Sequence, residues 1–142
     1  MTVDTTCELC MAPPAPLWRN AQFSVILVDD ANFPGFCRVV WHEHAREMSD
    51  LSAAERQVLM DAVQHVELAQ RAVLHPDKIN LASLGNVVPH LHWHVIPRFT
   101  NDSHFPNPVW GNATRDADPA TLVARRALLP QLSAAIVQRL TQ

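Results

Sequence analysis

The chain has 142 residues, 48% of them hydrophobic, with a formal charge of −3 and a pI near 6.2. Length and apolar content fit a single domain, residues 1–142, able to bury a core without disulfide or metal support. The acidic balance excludes a broad basic surface for extended nucleic acid and leaves a small phosphorylated ligand allowed. No basic-then-apolar leader opens the sequence, and nowhere do eighteen uncharged apolar residues run together. A cytoplasmic protein with no membrane association is therefore expected.

Cys7 and Cys10 open the chain as a C-x-x-C pair, and Cys37 makes the cysteines an odd set that does not suit a disulfide framework. Between positions 22 and 28, Phe23, Val25 and Leu27 alternate with other residues and predict a strand. Asp29, Asp30, Asn32, Pro34 and Gly35 then form a turn, and a second β-rich run at 36–41 follows closely enough to pair antiparallel with the first. Ser52 and Glu55 have capping-box spacing, with Leu59, Val63, Val66 and Val73 recurring at helical intervals until His75-Pro76.

Residues 79–84 predict a third strand, punctuated by Gly85, and residues 90–96 a fourth, closed by Pro97. The segment from Thr100 to Pro119 is rich in Asn, Asp, Pro and Gly and reads as an extended surface loop. Asp118-Pro119 starts a final helical stretch carrying Leu122, Leu129, Leu132, Ile136 and Leu140, which Pro130 must kink or split. The sum is an α+β domain: an antiparallel sheet, a main helix packed on one face, and a C-terminal helical extension.

The chemistry concentrates in PHLHWHVIPR, where His90, His92 and His94 alternate with Leu91, Trp93 and Val95. On a strand that period sends all three imidazoles to one face. Imidazole has a free pKa near 6.5 and attacks phosphorus in its neutral form. His92, the middle ring, is the candidate nucleophile, with His94 a donor to phosphate oxygen and His90 a support through its backbone or ring. Two other readings remain open: three histidines as ligands of a catalytic metal in a metal-dependent hydrolase, and a nucleotide-binding module with little turnover.

These residues resemble the signature of the histidine-triad (HIT) family, H-φ-H-φ-H-φ-φ with φ apolar, matched from His90 to Ile96. KINLASLGNVVP upstream and the strand-loop-strand from Phe23 to His44 extend the resemblance over roughly residues 7–110, leaving 111–142 as loop and C-terminal extension. The resemblance implies a HIT-like fold and a homodimer. It also implies a two-step reaction at the α-phosphate of a nucleoside phosphate, of the dinucleoside polyphosphate or nucleoside phosphoramidate type. His92 would carry the nucleotidyl group before water releases it, with no cofactor required for the chemistry and a purine nucleotide or related nucleoside phosphate as partner.

By the same resemblance, Asp29 falls where relatives bind ribose hydroxyls, and Asn80 and Asn86 where amides lie near the phosphates. Phe36 stands where several branches carry an additional histidine, and Val87 where a phosphate-contacting serine or threonine is usual. Some bacterial members hold a structural zinc through an N-terminal C-x-x-C; here the ligands would be Cys7, Cys10, His44 and His90, with His42 competing for the place of His44. Arg98, just past the triad, is expected to be a solvated surface group.

Overall fold

The computed structural model describes residues 2–142. Five strands, β1 (Trp18–Arg19), β2 (Phe23–Leu27), β3 (Cys37–Trp41), β4 (Lys78–Ala82) and β5 (His92–Arg98), form one antiparallel sheet in the order β1-β2-β3-β5-β4. The β2 and β3 pairing runs from Phe23 opposite Trp41 to Leu27 opposite Cys37. Gly35 permits the intervening turn: its φ of +91° belongs to glycine, and a Cβ there would stand 2.5 Å from Leu74 Cδ1.

Helix α2 (Ala53–Leu74) starts at the capping box expected from the sequence: Glu55 N–H donates to Ser52 Oγ at 3.2 Å and Ser52 N–H to Glu55 Oε1 at 3.0 Å. It ends where His75 turns left-handed before Pro76. Its apolar stripe, including Leu59, Val63 and Val66, joins Val25, Val39 and Val95 in the main core. Gln70, fully buried on the same helix, donates at 2.9 Å to the carbonyls of both Gly35 and Val95. Helix α2 thereby clamps the β2–β3 turn to β5. Pleating sends Ser24, Ile26, Arg38, Val40, His92 and His94 to the opposite face.

Several boundaries differ from the expectation. The strand expected at 90–96 begins only at His92 and runs on to Arg98 through Pro97. β3 pairing stops at Val95 opposite Cys37, so Pro97, which has no N–H, lies past that ladder. Ahead of β5, Leu91 N–H donates to Ala45 O at 2.7 Å and Leu91 O accepts from Trp41 N–H at 3.2 Å, which draws His90 off the sheet. The short helix α1 (Glu8–Met11) and the two-residue β1 carry no periodic signal in the sequence.

The C-terminal stretch is split, as Pro130 requires, into α3 (Pro119–Arg126) and α4 (Leu129–Leu140); α4 packs on α2 through Leu132 and Ile136, whereas α3 buries none of its residues. Arg98 corrects the expectation of a surface group: it is 1% exposed. Asp102 faces it at 2.7 and 3.0 Å, and Asn80 Oδ1 and Asn107 O accept from it at 2.8 Å. Asp102 also accepts the backbone N–H groups of Phe99, His104 and Phe105. One buried ion pair therefore folds the start of the Asn- and Pro-rich loop, and that folded loop carries Trp110. Among the described residues, no helix is long and apolar enough to cross a membrane.

Candidate active site

His92 and His94 project from β5 into a cleft of about 340 Å³ walled by Glu8, Leu9, Arg38, Gly85, Asn86 and Trp110, among others. The His92 ring is fixed by its neighbour two residues back, with Nδ1 2.5 Å from His90 O. A carbonyl only accepts, so Nδ1 carries the proton and the Nε2 lone pair is left for attack. Ser83 Oγ donates to His92 O at 2.8 Å, tying the same residue to the end of β4.

His94 is enclosed by aromatic edges: Phe36 at 5.7 Å, His92 at 4.9 Å and Trp110 at 4.8 Å between ring centroids. Burial, with His92 and Arg38 nearby, pushes its pKa down to about 4, so the ring is neutral at ordinary pH. Its Nδ1 is buried with no hydrogen-bond partner among the described residues.

His90 is built into a different cluster. Its Nε2 lies 2.5 Å from Trp41 O, which places the proton there and leaves Nδ1 as a lone-pair donor. That Nδ1 stands 3.3 Å from Cys7 Sγ, 3.5 Å from Cys10 Sγ and 3.3 Å from His44 Nδ1, with Cys10 Sγ 3.4 Å from His44 Nδ1. The four donor atoms all lie within 4.8 Å of one another. A tetrahedral ion bonded at about 2.0–2.1 Å to nitrogen and 2.3 Å to sulfur sets edges of roughly 3.3 Å for N···N and 3.5 Å for N···S. The donor set fits zinc. His44 Nε2 faces Asp4 at 3.7 Å, a second outer carboxylate or carbonyl partner of the kind metal-bound imidazoles use. Burial holds His90 below the ordinary imidazole pKa, which favours the neutral, ligating form. His42, the competitor in the sequence, instead turns Nε2 to Ser24 Oγ at 2.7 Å.

The three triad rings thus do not converge on one point: His90 Nδ1 faces the cysteines, and His92 Nδ1 is committed to a carbonyl. Asn86 reaches the cleft. Asn80 is drawn instead into the Arg98 network through Oδ1, and Asp29 is an exposed residue just past β2, outside the cleft lining. Phe36 packs edge-on to His94, and Val87 is 93% exposed on the rim. Sequence reasoning missed Arg38 and Trp110. Arg38 carried a detectable signal, a charge inside the strand CRVVW opposite the triad, whereas Trp110 arrives from a loop with no periodicity.

A model of the HIT domain family matches residues 13–101. No curated protein sequence matches the chain. Among solved structures, a histidine triad protein from Bradyrhizobium japonicum is 32% identical, with 88% of this chain and 89% of that one covered and a TM-score of 0.70. A histidine triad protein from Marinobacter aquaeolei is 27% identical over 96% of this chain and 99% of that one, with a TM-score of 0.72. A zinc-bound histidine triad family protein from Mycobacterium smegmatis shares the fold at 21% identity, 94% and 92% coverage and a TM-score of 0.60.

Proposed function

Because the chain belongs to the histidine-triad family, we propose that it is a nucleotide hydrolase or nucleotidyl transferase that works at the α-phosphate of a nucleoside phosphate through His92. The observation that carries this reading is the His92 ring itself, its Nδ1–H held by His90 O at 2.5 Å and its Nε2 free beside the cleft. The Nε2 lone pair forms a bond to phosphorus while the bond from phosphorus to the leaving group's oxygen or nitrogen breaks. Water then attacks the nucleotidyl-histidine, giving a nucleoside monophosphate and the original imidazole. A pocket beside the cleft, lined by Leu9, Ile26 and Val40 among others, offers an apolar seat for a purine base. Leu9 borders both spaces, so base and phosphate can be held together.

Zinc held by Cys7, Cys10, His44 and His90 would supply a cross-link and no step of the reaction. It would pin the N-terminal arm, including Leu9, against the sheet and fix His90, whose carbonyl orients His92. A homodimer is part of the same proposal. β4 ends the sheet with one paired neighbour and exposes Leu81, a free edge that a second copy can cover. Sedimentation at twice the 15.9 kDa chain mass is expected, and a monomer at micromolar concentration would remove the dimer.

The test of function is release of nucleoside monophosphate from adenosine phosphoramidate and diadenosine polyphosphates. His92→Ala should lose activity by roughly three orders of magnitude or more, the usual consequence of deleting a nucleophile. Full activity in that variant ends the proposal. Binding without turnover in the wild type favours the nucleotide-binding module, a reading to which the apolar Phe36 and the outward Val87 lend themselves.

A further inference from the structure

Arg38 is a cation on the catalytic face that no described residue neutralises. It sits mid-strand in β3, opposite His94 on one side and Ile26 on the other, so the pleat points it to the face that carries His92 and His94. It lines the same cleft as both histidines. Among the described residues it makes no ion pair and no side-chain hydrogen bond, and its Nε is buried without a partner. Glu8, the carboxylate on the cleft wall, forms no salt bridge with it.

Arg98, by contrast, is fully engaged. That guanidinium spends its donors inside the chain, on Asp102, Asn80 and Asn107. Arg38 is half-buried with its donors unspent. A buried guanidinium N–H without an acceptor is costly, and the cost is recovered when a ligand supplies one. The acceptor geometry an arginine fork fits best is a pair of oxygens on one phosphate or carboxylate.

Resting on the nucleotide reading above, we propose that Arg38 is the phosphate-binding cation of this site, its fork holding nonbridging oxygens of the α-phosphate while His92 Nε2 attacks. The rest of the lining gives the phosphate little fixed positive charge: Asn86 is neutral, Trp110 offers one N–H, and His94 is held uncharged by its burial. Negative charge that builds on the phosphate oxygens during attack therefore falls to Arg38.

Calorimetric titration with AMP and GMP, and with adenosine and guanosine, isolates the phosphate from the base. Wild type should bind at least one monophosphate more tightly than its nucleoside. Arg38→Gln should reduce that ratio about 10- to 100-fold, the range for hydrogen bonds to charged groups, while leaving nucleoside affinity in place. Arg38→Lys should recover part of the ratio, since it restores charge without the fork. A folded Arg38→Gln with an unchanged ratio overturns the proposal, as does a wild type that fails to prefer the monophosphate. Should Arg38→Gln fail to fold, an unchanged ratio in Arg38→Met overturns it equally. Failure of the transfer reading looks different: no adduct on His92 in the wild type, with the monophosphate preference still dependent on Arg38.

Discussion

His94 shows how much one environment alters an imidazole. Enclosed by Phe36, His92 and Trp110, it has its pKa pushed from 6.5 to about 4 in the folded chain. The unfolded chain therefore binds this proton first as pH falls, so the stability contributed by neutral His94 is present above pH 6.5 and is lost as pH drops toward 4. Urea midpoints measured across that interval should fall with acidification, and more steeply in wild type than in His94→Asn. Equal slopes in the two proteins would mean that His94 is not buried neutral. At this scale the sequence was partly legible. The H-x-H-x-H spacing put His92 and His94 on one face of the sheet, but it could not reveal that a hydrogen bond from Leu91 to Ala45 draws His90 out of the strand and toward the cysteines.

At the scale of elements, α2 was the most legible part, because a capping box, a 3.6-residue stripe and a stop before Pro76 all agree. What that pattern concealed was Gln70, a polar residue in the buried face that holds the carbonyls of Gly35 and Val95. Gln70→Leu keeps the volume and removes the donor. It should cost about 1–3 kcal/mol in chemical denaturation, since two buried carbonyls lose a partner. A change under about 0.5 kcal/mol, the scale of ordinary surface substitutions, would mean that the clamp is not needed. The loop after Arg98 was legible only as a loop. Its order comes from the pairing of Arg98 with Asp102, two residues whose composition alone reads as surface.

At the scale of the whole molecule, the antiparallel sheet and its single covering helix followed from the order of strand and helix signals, but the closure of the N-terminus onto β5 did not. A C-x-x-C pair supplies half a zinc site; the family resemblance names His44 and His90 as the other half, and the fold brings their Nδ1 atoms to within 3.3 Å of each other beside it. Protein grown with zinc and purified without chelator should contain about one zinc per chain, the stoichiometry of a closed four-ligand site. Cys10→Ser should lose the metal and melt several degrees lower, because binding energy at such a site is folding energy. Metal-free wild type of unchanged melting temperature would contradict this.

Covalent nucleotidylation of His92, as proposed, is read by intact-protein mass spectrometry on mixtures with adenosine phosphoramidate quenched without acid. A transient adduct of one adenylyl group is expected on the wild type, mapped to His92 and missing from His92→Ala, with AMP accumulating as it decays. AMP released by the wild type with no adduct at any time, or an adduct that persists in His92→Ala, would contradict it.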